Sequence, residues 1–166
     1  GADAAAALED ARRRLARVAG CLPEELVFTS GGTESVNLAI QGGARALRRP
    51  RVLVTAVEHP AALEAAKLIA RDGITGEIIP VDREGFVDED AFVARLGDDV
   101  GLVSLIHGNN IVGTVQRLPR LAGLVRRHAP GALIHADAVQ TFGRLPLPLD
   151  KVDLVSMTAH KLGGPR

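Results

Sequence analysis

Short apolar segments with the character of β-strands alternate with helical segments along almost the whole chain. In the first helical segment, Leu8, Leu15 and Val18 recur at helical spacing and mark an apolar face. Because strands that alternate with helices are typical of parallel sheets joined by right-handed crossovers, the sequence predicts an α/β fold. The predicted strands are 26–29, 51–55, 77–81, 100–106, 131–140 and 154–157, and the predicted helices are 3–19, 36–47, 88–96, 118–128 and one that opens at Pro60.

Composition narrows the class of protein. The 166 residues are about the length of one domain, and a hydrophobic content of 46% is enough for a core. Lys and Arg together number 20, as do Asp and Glu, which argues against nucleic acid or an anionic membrane as a partner. Cys21 is the sole cysteine, so neither an internal disulfide nor a Cys-x-x-Cys metal site is expected. An unpaired cysteine and the lack of a long apolar run favour a cytoplasmic protein without a transmembrane helix.

The first predicted strand runs into a glycine-rich turn, Ser30-Gly31-Gly32-Thr33, at the start of a helix. Free N–H groups and the positive end of a helix bind anions, and glycine lets an anion approach closely. The turn therefore has the character of a phosphate site, although a plain strand-to-helix turn with a hydroxyl cap has the same pattern. No Gly-Lys-Ser/Thr follows, so the turn is not a P-loop.

Other polar side chains also follow or end predicted strands. Taken singly, each of them has an equally good ordinary explanation: a histidine in a loop, asparagines in a turn, an aspartate that caps a strand end and a lysine at the surface. A buried carboxylate is costly without a partner, however, and the carboxyl ends of parallel strands meet at one edge of a sheet. We therefore expect these groups to converge on one crevice. They are His59 after the second strand, Asn109 and Asn110 after the fourth, Asp137 in the fifth and Lys161 after the last.

A phosphorylated, cationic heteroaromatic ring would use every one of these groups. The glycine-rich turn would hold a phosphate, Asp137 would pair with a protonated ring nitrogen, and Lys161 would form a Schiff base with an aldehyde. Pyridoxal 5'-phosphate carries all three features. A nicotinamide cofactor is the weaker hypothesis, because no Gly-x-Gly-x-x-Gly follows the first strand.

Five ordered segments give the chain a family resemblance. The chain resembles the cysteine desulfurases of the NifS/IscS type, which are class-V aminotransferases among the fold-type I pyridoxal phosphate enzymes. This resemblance implies a three-layer α/β/α fold with a mostly parallel sheet, of which residues 1–166 would be a partial cofactor-binding large domain. The segments that carry it are 28–35 with 37–40, 58–61, 107–116, 135–140, and 159–161 with 164–165.

The resemblance also implies roles for the site residues. Lys161 and His59 would be catalytic, Lys161 as the Schiff-base lysine that moves protons and His59 as the side chain that stacks on the ring. Asp137 would pair with the ring nitrogen. Ile111 departs from the family, which usually has glutamate there. The remaining cofactor-binding residues would be Asn110 and Gln140 near the phenolic oxygen, and Gly32, Thr33, Thr158 and His160 at the phosphate.

The implied parent enzyme converts L-cysteine to L-alanine and passes the sulfur as a persulfide to an acceptor protein, for iron–sulfur clusters or thiolated nucleotides. It would be a cytoplasmic homodimer that binds neither nucleic acid nor membrane. The family's substrate-gripping arginine and sulfur-carrying loop cysteine have no counterpart in 1–166, so the chain alone is expected to be inactive. Two alternatives stay open, namely a fragment of a related class-V lyase such as a selenocysteine lyase, and a non-catalytic α/β module.

Overall fold

The computed structural model describes residues 1–164, so Pro165, which belongs to the last family-like segment, lies outside the described residues. Five strands form one sheet in the order β2-β1-β3-β4-β5, and every neighbouring pair is parallel. This confirms the predicted α/β fold with a parallel sheet. The strands are β1 (Arg51–Thr55), β2 (Thr75–Ile79), β3 (Val100–Ile106), β4 (Leu133–Asp137) and β5 (Leu154–Ser156).

Helices cover both faces of the sheet and give three layers. A π-helical segment, Leu38–Gly42, joins two short α-helices into one continuous helix, because right-handed helical dihedrals persist across both junctions. The α-helices are α1 (Ala2–Ala19), α2 (Gly32–Asn37), α3 (Gly43–Leu47), α4 (Pro60–Leu68), α5 (Glu89–Val93) and α6 (Leu118–His128). Short 3₁₀ helices lie at Pro23–Glu25, Ile69–Asp72, Leu149–Lys151 and Ala159–Leu162.

Two apolar cores lie on opposite faces of the sheet. On one face, Val54 and Leu102 pack with Ile40 of the α2–α3 helix and with alanines of α4. On the other face, Leu105 packs with Leu121 of α6 and with residues of α5. Successive residues of a strand point to opposite faces, so β1 and β3 contribute to both cores. The central strands are thus covered on both sides.

Central strands match the sequence prediction best. The bounds of β1 and β3 are the predicted ones, and all seven residues of β3 are buried. Strands buried on both faces are continuous apolar runs, which makes them easy to recognise in a sequence. Toward the edges the agreement weakens: β2 lies two residues before the predicted 77–81. Strand β4 is shorter than the predicted 131–140, because the chain turns after Asp137.

The predicted first strand, 26–29, is wrong. The segment has no strand of the described sheet beside it, so its backbone lacks a ladder partner. Leu26 is buried, whereas Val27 is 66% exposed and Phe28 41% exposed. Apolar content identified the segment, but a strand also needs a neighbour with which to exchange backbone hydrogen bonds.

Helix α1 confirms the predicted helix over 3–19, but its apolar face does not join a core. Leu8 is 49% exposed and Val18 73% exposed, and the residues that α1 buries are Ala16 and Ala19. The helix meets the rest of the chain near its carboxyl end. There the Arg12 guanidinium lies 4.8 Å from the centre of the Phe28 ring and donates a hydrogen bond to the carbonyl of Leu26.

Candidate functional site

A cavity of about 230 Å³ opens at the carboxyl ends of the central strands. Its lining contains eight of the nine residues that the sequence proposes for a cofactor site. The ninth, Thr158, lies beside the cavity and its Oγ1 is 2.9 Å from Nδ1 of His160. The structure thus brings these residues together, and their individual roles remain predictions. The eight lining residues are Gly32, Thr33, His59, Asn110, Asp137, Gln140, His160 and Lys161.

The glycine-rich turn forms the first turn of α2. The N–H of Ser35 donates to the carbonyl of Gly31, 3.0 Å away, which begins the helical ladder, and the preceding N–H groups face the start of the helix. A Cβ on Gly32 would lie 3.0 Å from Cγ2 of Val139, so glycine permits close packing here. The Glu34 carboxylate accepts from the N–H of Ser30 at 2.5 Å, and the Ser30 hydroxyl together with this N–H lowers the pKa of Glu34. The turn can present backbone donors to an anion.

His59 has a fixed orientation at the start of α4. It is the residue before the first helical position, which Pro60 occupies, and its Nδ1 accepts a hydrogen bond from the N–H of Ala61 at 3.1 Å. An imidazole nitrogen that accepts carries no proton, so in the neutral ring Nε2 holds the hydrogen. The ring is exposed and borders the cavity, where it is free to contact a ligand.

Asp137 ends β4 with a side chain that is buried and forms no ion pair within residues 1–164. Only 4% of the residue is exposed, and Oδ1 accepts from the N–H of Val139 at 3.0 Å. Burial raises the pKa of Asp137, while the backbone hydrogen bond and the charge of His59 oppose the rise. Within residues 1–164, none of the ion pairs includes Asp137. A buried carboxylate of this kind fits a ligand that brings its own positive charge.

Lys161 differs from the other two lysines of the chain. The Nζ of Lys67 lies 2.6 Å from Glu64, and the Nζ of Lys151 lies 2.7 Å from Asp150. Lys161 forms no ion pair with any residue of the described 1–164, is half-buried, and borders the cavity from the 3₁₀ helix Ala159–Leu162. Lys161 is therefore the one lysine of the described chain that lines the cavity.

The two asparagines after β3 have separate tasks. Asn109 stabilises its own loop, because its Nδ2 donates to the carbonyl of Val57 at 2.7 Å and its Oδ1 accepts from the N–H groups of Ile111 and Val112 at 2.8 Å. Asn110 is exposed and lines the cavity. Ile111 is 86% exposed, so the departure from the family at this position lies in solvent in this chain.

A chain of buried hydrogen bonds runs beneath the cavity, and the sequence analysis missed it. The Oγ of Ser35 donates to the Oγ of Ser156 at 2.8 Å, which lies 2.9 Å from Nε2 of His135. The Nδ1 of His135 lies 2.9 Å from the Oγ of Ser104. Burial lowers the pKa of His135 to about 4, so the imidazole is neutral. The available signal was a polar residue inside an apolar strand, the same signal that drew attention to Asp137.

Glu58 is the second buried residue that the sequence analysis left without a role. The residue is 5% exposed, and Oε1 accepts from Oγ1 of Thr55 at 3.1 Å. Burial raises the pKa of Glu58 to about 8, and the negative charge of Asp137 adds to the rise. Two buried carboxyl groups therefore lie near each other, Asp137 lining the cavity and Glu58 in the adjoining core, and together they form the cavity floor.

A larger groove of about 780 Å³ lies away from these residues. It runs between the extended segment that includes Val27 and the edge strand β5, where Leu154 and Val155 line it. Cys21 borders this groove, and burial raises the pKa of its thiol, which disfavours a reactive thiolate. The groove is mainly apolar in its lining and contains none of the proposed cofactor-binding residues.

Neither a metal-binding cluster nor a membrane-spanning helix is found in the described part of the chain. Among residues 1–164, no group of three or more His, Cys, Asp and Glu side chains is arranged to hold a metal ion. Over the same residues, none of the helices combines the length and the apolar character needed to cross a membrane.

Comparison with known proteins adds independent findings. The family model described as aminotransferase class-V matches residues 1–166. The cysteine desulfurase IscS of Dictyoglomus turgidum is 40% identical over 170 residues, which cover 100% of this chain and 43% of that protein. The chain thus spans less than half the length of this relative.

Solved structures agree with the sequence comparison. A NifS-like protein superposes with a TM-score of 0.92 at 36% identity, over 99% of this chain and 46% of that one. A structure described as SspA in complex with cysteine has a TM-score of 0.89 at 27% identity, over 99% of this chain and 48% of the other. Both similarities extend across the whole sheet and its helices.

Proposed function

Since this chain belongs to the aminotransferase class-V family, we propose that it is the cofactor-binding part of a cysteine desulfurase that uses pyridoxal 5'-phosphate. The observation that carries the proposal is that Asp137 and Lys161 line the same cavity. Asp137 is a buried carboxylate that forms no ion pair within residues 1–164, and Lys161 is the one lysine that lines the same cavity. A ligand with a cationic ring nitrogen and an aldehyde would satisfy both groups.

The other lining residues fit the rest of that ligand. Gly32 and Thr33 offer backbone and hydroxyl donors at a helix start, which suits a phosphate. His160 lines the same cavity and is joined to Thr158 by a hydrogen bond, so the Thr158 hydroxyl and the His160 ring would be oriented together toward the same phosphate. These assignments are supported by the family resemblance and, except for Thr158, by position on the cavity wall.

Bound pyridoxal phosphate supplies an electron sink that permits bonds to the substrate α-carbon to break. The residues of this chain would do the remaining work. The Lys161 amine would bind the cofactor aldehyde covalently and, once released, carry a proton to and from the α-carbon. His59, whose Nε2 holds the hydrogen in the neutral ring, would stack on the cofactor ring and could donate that proton from Nε2. Asp137 would hold the proton on the ring nitrogen, and Asn110 and Gln140 would orient polar atoms at the cavity rim.

The substrate and products are proposed from the relatives. IscS of Dictyoglomus turgidum is a cysteine desulfurase, and one structural relative was solved with cysteine. The parent enzyme would convert L-cysteine to L-alanine and pass sulfur as a persulfide to an acceptor protein, for iron–sulfur clusters or thiolated nucleotides. A related class-V lyase, such as a selenocysteine lyase, would share the same cavity floor and remains the second candidate.

The partial-domain proposal has its own support. The apolar groove between the segment around Val27 and the edge strand β5 leaves two extended stretches of backbone facing each other. Further chain would fill that space, in agreement with a match that spans 43% of the relative's length. If nothing fills it, the chain would be a non-catalytic α/β module with an exposed sheet edge that is prone to self-association.

The assembly and location of the parent enzyme are also proposed. The apolar face of α1, with Leu8, Leu15 and Val18 exposed, is suited to burial against a second subunit in a homodimer. A single unpaired cysteine is consistent with a cytoplasmic protein.

The test is an absorbance titration of the chain with pyridoxal phosphate. We expect a band near about 420 nm, typical of the lysine-bound cofactor, and its loss in Lys161→Ala. Lys67→Ala is the matched control, because Lys67 is also a lysine but pairs with Glu64 at the surface. Reduction with borohydride followed by peptide mass mapping should locate the cofactor on Lys161.

Three experimental outcomes would each contradict one part of the proposed function. The absence of a band at millimolar cofactor would remove the claim that this chain binds pyridoxal phosphate. A band that survives Lys161→Ala would remove the assignment of Lys161. Release of alanine and sulfide from L-cysteine by the chain alone would contradict the expectation that the active enzyme needs more than these residues.

A further inference from the structure

Glu58 lies at the end of a line of buried polar groups that crosses the sheet beneath the cavity. Ser35 contacts Ser156, Ser156 contacts His135, and His135 contacts Ser104, each at 2.8 or 2.9 Å. The hydroxyl of Ser104 also lies near the carboxyl of Glu58 and lowers the pKa of that group. The line therefore runs from the first turn of α2, across β5, β4 and β3, to a carboxyl group that no ion pair within residues 1–164 neutralises.

Each hydrogen bond along this line is donated in the same direction, from Ser35 toward Ser104. Ser35 donates to Ser156, so the Ser156 hydroxyl hydrogen is free to donate to Nε2 of the neutral His135. A neutral imidazole that accepts at Nε2 carries its hydrogen on Nδ1, which then donates to Ser104. The hydroxyl hydrogen of Ser104 is not used within the line, and the Glu58 carboxyl is the group that lies beside it.

The two oxygens of Glu58 have unequal surroundings. Oε1 accepts from Oγ1 of Thr55 at 3.1 Å, whereas Oε2 is buried and has no hydrogen-bond partner among the described residues. A buried carboxylate oxygen without a donor is strongly disfavoured. A neutral carboxylic acid matches the surroundings better, because burial of an uncharged group costs far less than burial of a charge, and Oε1 can then be the carbonyl oxygen that accepts from Thr55.

The two carboxyl groups of the floor differ in their support for a negative charge. The Oδ1 of Asp137 accepts from the N–H of Val139 at 3.0 Å, and Asp137 lines the cavity. Glu58 does not line the cavity, and its Oε2 has no donor among the described residues. The groups that face Glu58 are the Thr55 and Ser104 hydroxyls, the Ile106 N–H and the Asp137 carboxylate, and none of them is a cation. Asp137 is therefore the better placed of the two to hold a negative charge.

From these contacts we infer that Glu58 is a positioning residue that remains a neutral carboxylic acid, and so leaves Asp137 as the single negative charge on the cavity floor. The second half of this inference rests on the proposed function, because the charge on Asp137 matters for a cationic ring. The first half concerns the cofactor-free chain alone. A second ionised carboxyl would disturb the one-to-one match between Asp137 and a ring cation.

The experiment is a pH titration of side-chain carboxyl ¹³C resonances by NMR in the cofactor-free chain. Glu58→Gln assigns the Glu58 resonance by its disappearance and, as a neutral isostere, should leave the amide spectrum dispersed. We expect Glu58 to titrate near pH 8, well above the ordinary glutamate value of 4.5. A Glu58 midpoint close to 4.5 would overturn the inference.

A second variant tests the coupling between the two carboxyls. In Asp137→Asn the neighbouring negative charge is gone, so the midpoint of Glu58 should fall by about one pH unit. A midpoint that does not move would overturn the claim that Asp137 is the ionised partner.

Cofactor binding by Glu58→Gln separates this inference from the proposed function. At pH 7, Gln mimics the neutral acid, so we expect pyridoxal phosphate affinity within about twofold of the parent and an unchanged absorbance band. A tenfold loss with Gln would show that an ionised Glu58 is needed and would overturn the inference. If neither protein binds the cofactor, the proposed function fails, while the NMR midpoints still decide the state of Glu58.

Discussion

The floor and the rim of the cavity rest on different parts of the sheet. The floor residues Asp137 and Glu58 belong to the buried centre, where β3 and β4 each have a strand on both sides. The rim that carries His160 and Lys161 follows β5, which is three residues long and pairs with β4 alone. Two walls of one cavity thus have unequal support.

The difference indicates which half of the site is pre-organised. Floor side chains are held by two-sided packing and by hydrogen bonds inside the core, so their positions are fixed before any ligand arrives. Rim side chains are exposed or half-buried and depend on one edge strand that borders an apolar groove. We therefore expect substitutions in the floor to affect folding strongly, and substitutions in the rim to affect binding with little effect on folding.

Core packing should show the largest contrast. Leu102 in β3 is fully buried, and Leu154 in β5 packs only partly against the same core. We expect Leu102→Ala to lower the free energy of unfolding by about 2–5 kcal/mol, and Leu154→Ala by less than about 1.5 kcal/mol. Urea denaturation followed by circular dichroism measures both. Equal losses would contradict the unequal support of the two strands.

The pH dependence of stability should show the next largest effect. The folded-state pKa of Glu58 is about 8, above the ordinary value of 4.5, so its contribution is fully present below pH 4.5 and is lost as pH rises toward 8. Between pH 5 and 8, Glu58→Gln should gain stability relative to the parent by about 1 kcal/mol for each pH unit. The titration of Asp137 occurs in both proteins and cancels in their difference. A difference in the free energy of unfolding that does not change with pH would contradict this expectation.

Removal of single hydroxyl groups gives the smallest contrast. Ser104→Ala leaves Nδ1 of His135 without its partner in the core, and we expect a loss of about 1–3 kcal/mol. Thr158→Val removes the exposed bond to His160, and the free energy of unfolding should change by less than about 0.5 kcal/mol. Thermal unfolding of both variants compares floor and rim directly. A large loss in Thr158→Val would mean that the rim is part of the cooperative core.

The sequence predicted the centre of the fold better than its edges, and the reason is physical. A strand buried on both faces must be apolar at every position, so β1 and β3 were visible as continuous runs. The segment 26–29 has the same apolar character but no neighbouring strand, and no local pattern reveals whether a ladder partner exists. Helix α1 was likewise recognised, while the exposure of its apolar face depends on contacts beyond the helix.

Site residues could be predicted from the sequence where a charged residue lies within or just after an apolar segment. Asp137 stood out as a charge within an apolar run, and Lys161 followed an apolar strand. Ser104 and His135 gave the same signal less strongly, because uncharged polar residues occur in strands without special meaning. Glu58 precedes a histidine and a helix-starting proline in what looks like a solvent-exposed turn. Its burial arises because that turn folds inward against β3 and β4, a tertiary contact that spacing does not encode.

The strand order also has a consequence for biosynthesis. After β1 and β2, each later strand joins the same growing side of the sheet, first β3, then β4, then β5. A ribosome releases the amino end first, and nascent domains begin to fold as they emerge. Glu58 and Asp137 therefore leave the exit tunnel before Lys161. A stalled nascent chain that ends after β4 would display a finished cavity floor beside an open strand edge, a form that a ribosome-bound chaperone would be expected to shield.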